Sequence, residues 1–119
     1  MKYITIDGDD IGRKITASYL INDAAGLKKI SCELESTTKK IAALLNANGF
    51  DVIFCAADGV AASCEHDPDF FEIFSDIQQF SPDFISFSAG VGDSLKDAYI
   101  ALLDAKSNGK NRLCSYLSN

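Results

Sequence analysis

Residues 52–64, with the sequence VIFCAADGVAASC, hold two apolar runs on either side of Asp58-Gly59. An Asp-Gly pair between apolar runs is a strong β-hairpin signal, because a type I′ turn needs positive φ at both of its central residues. We therefore predict strands over residues 52–57 and 60–64, joined by a tight turn at Asp58-Gly59. An antiparallel pair in the middle of the chain favours an α+β sheet.

Apolar spacing on either side of this hairpin alternates between the periods of strands and of helices. It predicts, in chain order, a strand over 2–7, a short helix around 13–21, a longer helix that ends at Asn48-Gly49, the hairpin, a helix opened by Asp67-Pro68, a strand over 84–91, a helix capped by Asp93 or Ser94, and an edge strand over 112–117. The apolar side predicted for the last of these helices consists of Leu95, Ala98, Tyr99, Leu102 and Leu103. This order predicts a ferredoxin-like α+β domain, in which helices cover one face of a mostly antiparallel central sheet and the other face is open.

Length and composition indicate one compact domain over residues 1–119. A chain of 119 residues with a hydrophobic fraction of 47% can bury a core of its own. No apolar run approaches the ~20 residues of a membrane span, and the strand pattern that begins at Lys2 leaves no room for a signal peptide. The four cysteines form no C-x-x-C pair, so we interpret them as reduced thiols of a cytoplasmic protein.

The net charge of −6 disfavours an extended nucleic-acid-binding surface. A single nucleotide remains compatible with it, because metal ions and a few local lysines can neutralise a triphosphate. Basic residues cluster late in the chain, at Lys106, Lys110 and Arg112. Lysines in a last helical turn also suit the helix dipole, so the pattern alone leaves a purely structural role open.

Two aspartates are predicted to meet on the open face of the sheet. Asp7 ends the first strand, out of phase with the buried Ile4 and Ile6, and Asp58 lies at the hairpin tip. Carboxylates that converge in this way repel each other, and Mg²⁺ relieves the repulsion through one or two carboxylates plus substrate phosphates. Two such ions about 4 Å apart activate an attacking hydroxyl and stabilise a leaving pyrophosphate. A solvated turn or helix cap over residues 7–10 is the alternative that the pattern leaves open.

Several segments resemble the superfamily of GGDEF diguanylate cyclases and CRISPR-polymerase palm domains. They are the strand-end Asp7, the hairpin 56–60 (AADGV), the strand 88–92 (SAGVG) and the ending 98–111 (AYIALLDAKSNGKN), of which the ending is the most specific. The chain is shorter than a typical GGDEF domain, and its DGDDIG stretch at 7–12 differs from the usual first strand of that family. Both features resemble the minimal CRISPR polymerases (mCpol), which are implicated in anti-phage defence through cyclic nucleotide synthesis.

The resemblance implies a palm domain and a role for each matching position. Asp7 and Asp58 would be the catalytic residues and the ligands of Mg²⁺ or Mn²⁺, together with the carbonyl of Gly8. Lys106 and Lys110 would hold the triphosphate. The remaining implied positions are small residues that leave space for the nucleotide, namely Gly8, Ala57 and Gly59, and two less specific helpers, Asp9 and Asp10.

The sequence departs from the family pattern at two hairpin positions. Ala56-Ala57 replaces the family's Gly-Gly, which adds only a little bulk. Gly59 replaces an acidic residue. The loss of that carboxylate disfavours the guanine-specific chemistry of diguanylate cyclases.

The function expected from these features is that of a metal-dependent nucleotidyl cyclase. It would use ATP or other nucleoside triphosphates to make a cyclic dinucleotide or a small cyclic oligonucleotide, as a homodimer, and a separate effector would detect the product. Two alternatives stay open: a palm-fold nucleotide hydrolase similar to GTP cyclohydrolase III, and a nucleotide sensor without catalysis.

Overall fold

The structure is a computed structural model that describes residues 1–118. Its elements are β1 (Lys2–Gly8), α1 (Ile11–Leu20), α2 (Ala24–Ala47), β2 (Asp51–Ala56), β3 (Gly59–Cys64), α3 (Phe70–Phe80), β4 (Phe87–Gly92), α4 (Leu95–Ser107) and β5 (Leu113–Tyr116). The five strands form one sheet in the order β2-β3-β1-β4-β5. Every neighbouring pair is antiparallel except β4 and β5, which are parallel. The predicted α+β class and the mostly antiparallel sheet are therefore confirmed.

The hairpin forms as predicted, but its turn lies one residue earlier. Ala56 pairs with Gly59, so the two central residues of the turn are Ala57 and Asp58. Of these two only Ala57 has positive φ, at 52°. Gly59 is instead a strand residue that pairs with both Ala56 and Asp7. A β carbon at Gly59 would lie 3.5 Å from Asp7 Oδ1, which is an ordinary van der Waals contact, so neither the turn nor this carboxylate requires a glycine here.

One face of the sheet carries the main hydrophobic core. Ile4 and Ile6 of β1 are at most 1% exposed, as their alternation with Tyr3, Thr5 and Asp7 predicts. They belong to one cluster with Ile41 and Leu45 of α2, Phe74 and Ile77 of α3, and Phe87, Ala89 and Val91 of β4. This burial fixes the register of β1 and turns Asp7 to the other face.

Helix α4 covers part of the second face of the sheet, the one toward which Asp7 is turned. The sequence predicted that this face would be open. The β carbons that Gly90 and Gly92 lack would overlap its backbone; the one at Gly92 would lie 2.6 Å from the nitrogen of Ala98. The residues of α4 that are buried are accordingly small or face the sheet directly: Ala98, Ala101, Leu102 and Ala105. The larger side chains expected on the buried side, those of Leu95, Tyr99 and Leu103, are exposed.

The start of α3 also differs from the expectation. Asp69, and not Asp67-Pro68, caps this helix, and its side chain accepts a hydrogen bond of 3.1 Å from the backbone N–H of Glu72. Proline disfavours helical geometry in the residue before it, which keeps Asp67 outside the helix. The spacing Asp69-x-x-Glu72 is the sequence signal of a capping box.

Within residues 1–118, no helix is both long enough and apolar enough to cross a bilayer.

We predict that Gly90→Ala destabilises the protein strongly. The added methyl group meets the carbonyl of Ala98 and the N–H of Leu102, and overpacking against backbone costs about 3 kcal/mol or more. Gly12→Ala is the matched control. It lies within α1 with nothing inside 4 Å of the new methyl group, so it should stabilise by roughly 0.5–1 kcal/mol. Urea unfolding measures both changes, and equal stability of the two variants would contradict the proximity of α4 to β4.

Candidate active site

Asp7 and Asp58 approach each other at one end of the sheet. Asp7 pairs with Gly59 of β3 and with Ser88 of β4. The hairpin turn packs against the end of β1, because the N–H of Gly8 donates a hydrogen bond of 3.0 Å to the carbonyl of Asp58. Partial burial and the negative charge of Asp58 raise the pKa of Asp7 above its usual range, although Lys106 acts in the opposite direction. Two neighbouring carboxylates therefore share this face of the sheet.

Lys106 reaches these acids from the last turn of α4. Its ammonium group donates to the carbonyl of Gly8 at 2.9 Å and lies 3.3 Å from Asp7 Oδ2 and 3.4 Å from Asp9 Oδ1. The positively charged side chain of Lys106 thus contacts the Asp7 carboxylate and the Gly8 carbonyl. These are oxygen donors of the kind that bind Mg²⁺.

Asp9, which directly follows β1, is buried and hydrogen-bonded at this end of the sheet. Its side chain is 3% exposed and accepts hydrogen bonds from Ser86 Oγ at 2.8 Å, Ser88 Oγ at 2.7 Å and the N–H of Asn111 at 3.0 Å. A buried carboxylate needs partners of this kind, since without them its desolvation costs several kcal/mol. The two serines were not recognised as part of the site from the sequence, although their alternation within an apolar strand is the signal that could have revealed them.

Lys110 lies in a loop of unusual backbone geometry. Gly109, Lys110 and Asn111 have φ values of 109°, 63° and 50°. The N–H of Lys110 donates to the carbonyl of Ala105 at 3.0 Å. Its ammonium group lies 2.6 Å from Asp10 Oδ1, and this contact lowers the pKa of Asp10 below its usual range. Both predicted lysines therefore end close to the β1–α1 junction.

A pocket of about 450 Å³ adjoins the hairpin turn. Its walls come from α1, α2 and β2, and most of the lining is apolar. The lining includes Ala57 of the hairpin turn. Ala57 precedes Asp58, so the pocket begins next to the carboxylates, and its volume is that of a small-molecule site.

The donor set fits a magnesium-like cation. Over residues 1–118 no group of three His, Cys, Asp or Glu side chains could hold a metal by itself. Mg²⁺ does not require one, because it commonly uses one or two carboxylates and completes its shell with substrate phosphates and water. Asp7, Asp58 and the carbonyl of Gly8 supply oxygen donors only, which also disfavours zinc.

Comparison with protein-family models assigns the chain to a family. Residues 3–116 match the minimal CRISPR polymerase domain, mCpol. The chain belongs to this family. No curated protein matches the sequence. The family assignment confirms the resemblance seen in the sequence.

Solved structures with this fold include GGDEF-type domains of diguanylate cyclases. The active GGEEF domain of a Vibrio cholerae diguanylate cyclase superposes with a TM-score of 0.69 and 22% identity, over 99% of this chain and 83% of that one. The GGDEF domain of Caulobacter crescentus DgcB, in complex with c-di-GMP, gives a TM-score of 0.69 and 14% identity, over 96% and 76%. An EAL/GGDEF domain protein from M. capsulatus gives 0.67 and 21%, over 97% and 83%. The mCpol chain thus has the same palm fold as these GGDEF domains.

We predict that Asp7→Asn raises the melting temperature of the metal-free protein by about 1–4 °C. Ionised Asp7 destabilises the fold at neutral pH because its pKa is raised, and solvent screening keeps the effect small. The stability difference should shrink as the pH falls through this raised pKa, since the carboxyl group is then neutral in the wild type as well.

The same variant tests the cation site. Millimolar Mn²⁺ should raise the melting temperature of the wild type but not that of Asp7→Asn. Asp76→Asn, at an exposed position of α3, is a control with the same charge change and should respond to Mn²⁺ as the wild type does. An equal Mn²⁺ response in all three proteins would rule out Asp7 as a ligand.

Proposed function

We propose that this chain is a metal-dependent nucleotidyl cyclase that joins ATP, or other nucleoside triphosphates, into a cyclic dinucleotide or small cyclic oligonucleotide. The observation that carries the proposal is the convergence of Asp7, Asp58 and Lys106 on one face of the sheet. This is an arrangement of two carboxylates and a phosphate-binding cation. Membership of the mCpol family supports the same reaction class.

The proposed reaction is a nucleotidyl transfer. A 2′- or 3′-hydroxyl oxygen of one nucleotide attacks the α-phosphorus of another. A new P–O bond forms, the bond to pyrophosphate breaks, and the hydroxyl proton passes to solvent. A second transfer of the same kind closes the ring. The protein contributes chiefly by holding the hydroxyl and the phosphorus in line.

Each residue of the site has a distinct part in this proposal. Asp7, Asp58 and the Gly8 carbonyl hold Mg²⁺ or Mn²⁺, which when bound supplies charge neutralisation and lowers the pKa of the attacking hydroxyl. Lys106 and Lys110 bind the β- and γ-phosphates. Lys106 also offsets the charge of Asp7 before substrate arrives, which is supported by its 3.3 Å contact with that carboxylate.

The pocket beside the hairpin is the proposed site of the nucleobase. It adjoins Ala57, so a nucleotide could extend from the carboxylates into it. Gly59 leaves open the space that an acidic side chain fills in the GGDEF pattern. The absence of that acidic side chain is our reason to propose ATP rather than GTP as the main substrate. Membership of the mCpol family supports the further proposal that a separate effector detects the cyclic product in anti-phage defence.

A homodimer is proposed because ring closure needs a second nucleotide opposite the first. Two-fold symmetry provides this with identical sites. Leu95, Tyr99 and Leu103 are spaced four residues apart on α4, and Lys106 follows three residues after Leu103, so all four lie along one side of the helix. The exposed apolar side chains of this stripe therefore border the site, where a second copy would cover them.

A palm-fold hydrolase and a non-catalytic sensor remain the competing functions. Incubation with nucleoside triphosphates and Mg²⁺, followed by mass spectrometry, separates the three. A cyclic product supports the cyclase, an opened or hydrolysed nucleotide supports the hydrolase, and unchanged bound nucleotide supports the sensor.

We predict that Asp58→Asn abolishes cyclic product while stability changes by no more than about 1 kcal/mol, because the residue lies in a surface turn. Lys106→Ala should lower nucleotide affinity as well as rate, since it removes a phosphate contact. Product analysis and isothermal titration measure these effects. Full activity of Asp58→Asn would disprove the assignment of Asp58 as a metal ligand.

We predict nucleotide-dependent dimerisation that Leu103→Asp prevents. Sedimentation velocity with Mg²⁺ and α,β-methylene-ATP, which resists cleavage at the α-phosphorus, measures it. Leu20→Asp is the matched control, because Leu20 is a 79% exposed leucine at the end of α1 and away from α4. A protein that stays monomeric at high protein and nucleotide concentrations, with activity linear in protein, would contradict the dimer.

A further inference from the structure

The carboxylate of Asp10 is turned away from the helix that it begins. Asp10 occupies the N-cap position of α1 with φ 57° and ψ 27°, and its side chain makes no capping hydrogen bond. Asp23 and Asp69, in the same position on α2 and α3, each accept a hydrogen bond from their own helix. Aspartate at an N-cap normally does so, with a gain of about 1 kcal/mol. The Asp10 side chain makes no hydrogen bond to its own helix and contacts Lys110 instead.

The contact with Lys110 is short and only partly covered. Asp10 Oδ1 and Lys110 Nζ are 2.6 Å apart, and the two side chains are 33% and 37% exposed. Arg13 and Lys14 add further positive charge around Asp10. The Asp10 carboxylate therefore lies within electrostatic range of three basic side chains, of which Lys110 is the one that it contacts.

The position of the Lys110 backbone does not depend on this ion pair. The N–H of Lys110 is held by the carbonyl of Ala105 at 3.0 Å, and the next N–H, that of Asn111, by Asp9 Oδ2 at 3.0 Å. Loss of the Asp10 charge should consequently free the ammonium group without moving the loop. A functional effect of Asp10 is thus separable from a structural one.

We propose that Asp10 competes with the substrate for Lys110. Without nucleotide the Asp10 carboxylate contacts the Lys110 ammonium group, and in the complex a terminal phosphate replaces that carboxylate. The proposal rests on the proposed function, in that Lys110 binds the outer phosphates. Binding of a triphosphate exchanges the Asp10 contact for a phosphate contact, so Asp10 weakens the binding of every ligand that reaches Lys110.

Two consequences follow for the ligands of the site. Triphosphates and pyrophosphate extend to Lys110 and bind less tightly because of Asp10, whereas a nucleoside monophosphate is too short to be affected. After transfer, Asp10 is ready to recapture Lys110 as pyrophosphate leaves. Asp10 therefore sets affinity and assists release of the leaving group.

A double-mutant cycle of Asp10→Asn and Lys110→Ala tests the proposal. Isothermal titration in Mg²⁺ with α,β-methylene-ATP, pyrophosphate and AMP gives affinities without turnover. We expect Asp10→Asn to bind α,β-methylene-ATP and pyrophosphate about three- to tenfold more tightly, because a partly exposed charge-assisted pair is lost. Its affinity for AMP should be unchanged. In the Lys110→Ala background the gain should vanish.

The controls separate this effect from general charge and from folding. Asp76→Asn makes the same charge change on α3 and should alter affinity by less than about twofold, in keeping with screening at physiological salt. Unchanged or weaker ligand binding by Asp10→Asn would overturn the proposal. So would a gain that persists without Lys110, or an equal gain for AMP. A wild type that binds α,β-methylene-ATP but forms no cyclic product from nucleoside triphosphates would reject the cyclase and leave the competition at Lys110 intact.

Discussion

The contact between α4 and the backbone of β4 is the constraint on which the site depends. Gly90 and Gly92 let the helix lie against the strand without intervening side chains, and Ala98, Ala101 and Ala105 keep the facing side of the helix thin. This proximity brings the last turn of α4 over the end of β1. Lys106 can then contact Gly8 and Asp7, which are nearly one hundred residues earlier in the chain.

Electrostatic balance is the second feature of this end of the sheet. Each acid that is drawn from water there has a specific partner: the serines and the Asn111 N–H for Asp9, and Lys110 for Asp10. Asp7 has Lys106 as its partner, but burial and the negative charge of Asp58 still raise its pKa. Sites that bind charged ligands commonly retain such unrelieved charge. The arrangement is therefore better suited to a bound cation than to maximal stability of the free protein.

The two lysines differ in how they are held, although they lie only four residues apart. Lys106 belongs to a regular helix and contacts the oxygen donors of the candidate cation site. Lys110 extends from a left-handed loop fixed by backbone hydrogen bonds. Lys106 therefore contacts a carbonyl and two carboxylates together, whereas Lys110 contacts the one carboxylate that we propose a phosphate replaces.

The sequence by itself determined the order of elements, the hairpin, the orientation of Asp7 and the family, because these depend on local periodicity, turn residues and short motifs. It did not determine the side of the sheet that α4 covers. The spacing of Leu95, Tyr99 and Leu103 predicted a buried apolar side, but proximity to Gly90 selected the alanines. Nor could it reveal that Asp9 is buried among Ser86, Ser88 and Asn111, or that Asp10 binds Lys110. These pairs join residues 77 to 102 positions apart in the chain, and only tertiary packing brings such groups within hydrogen-bonding distance.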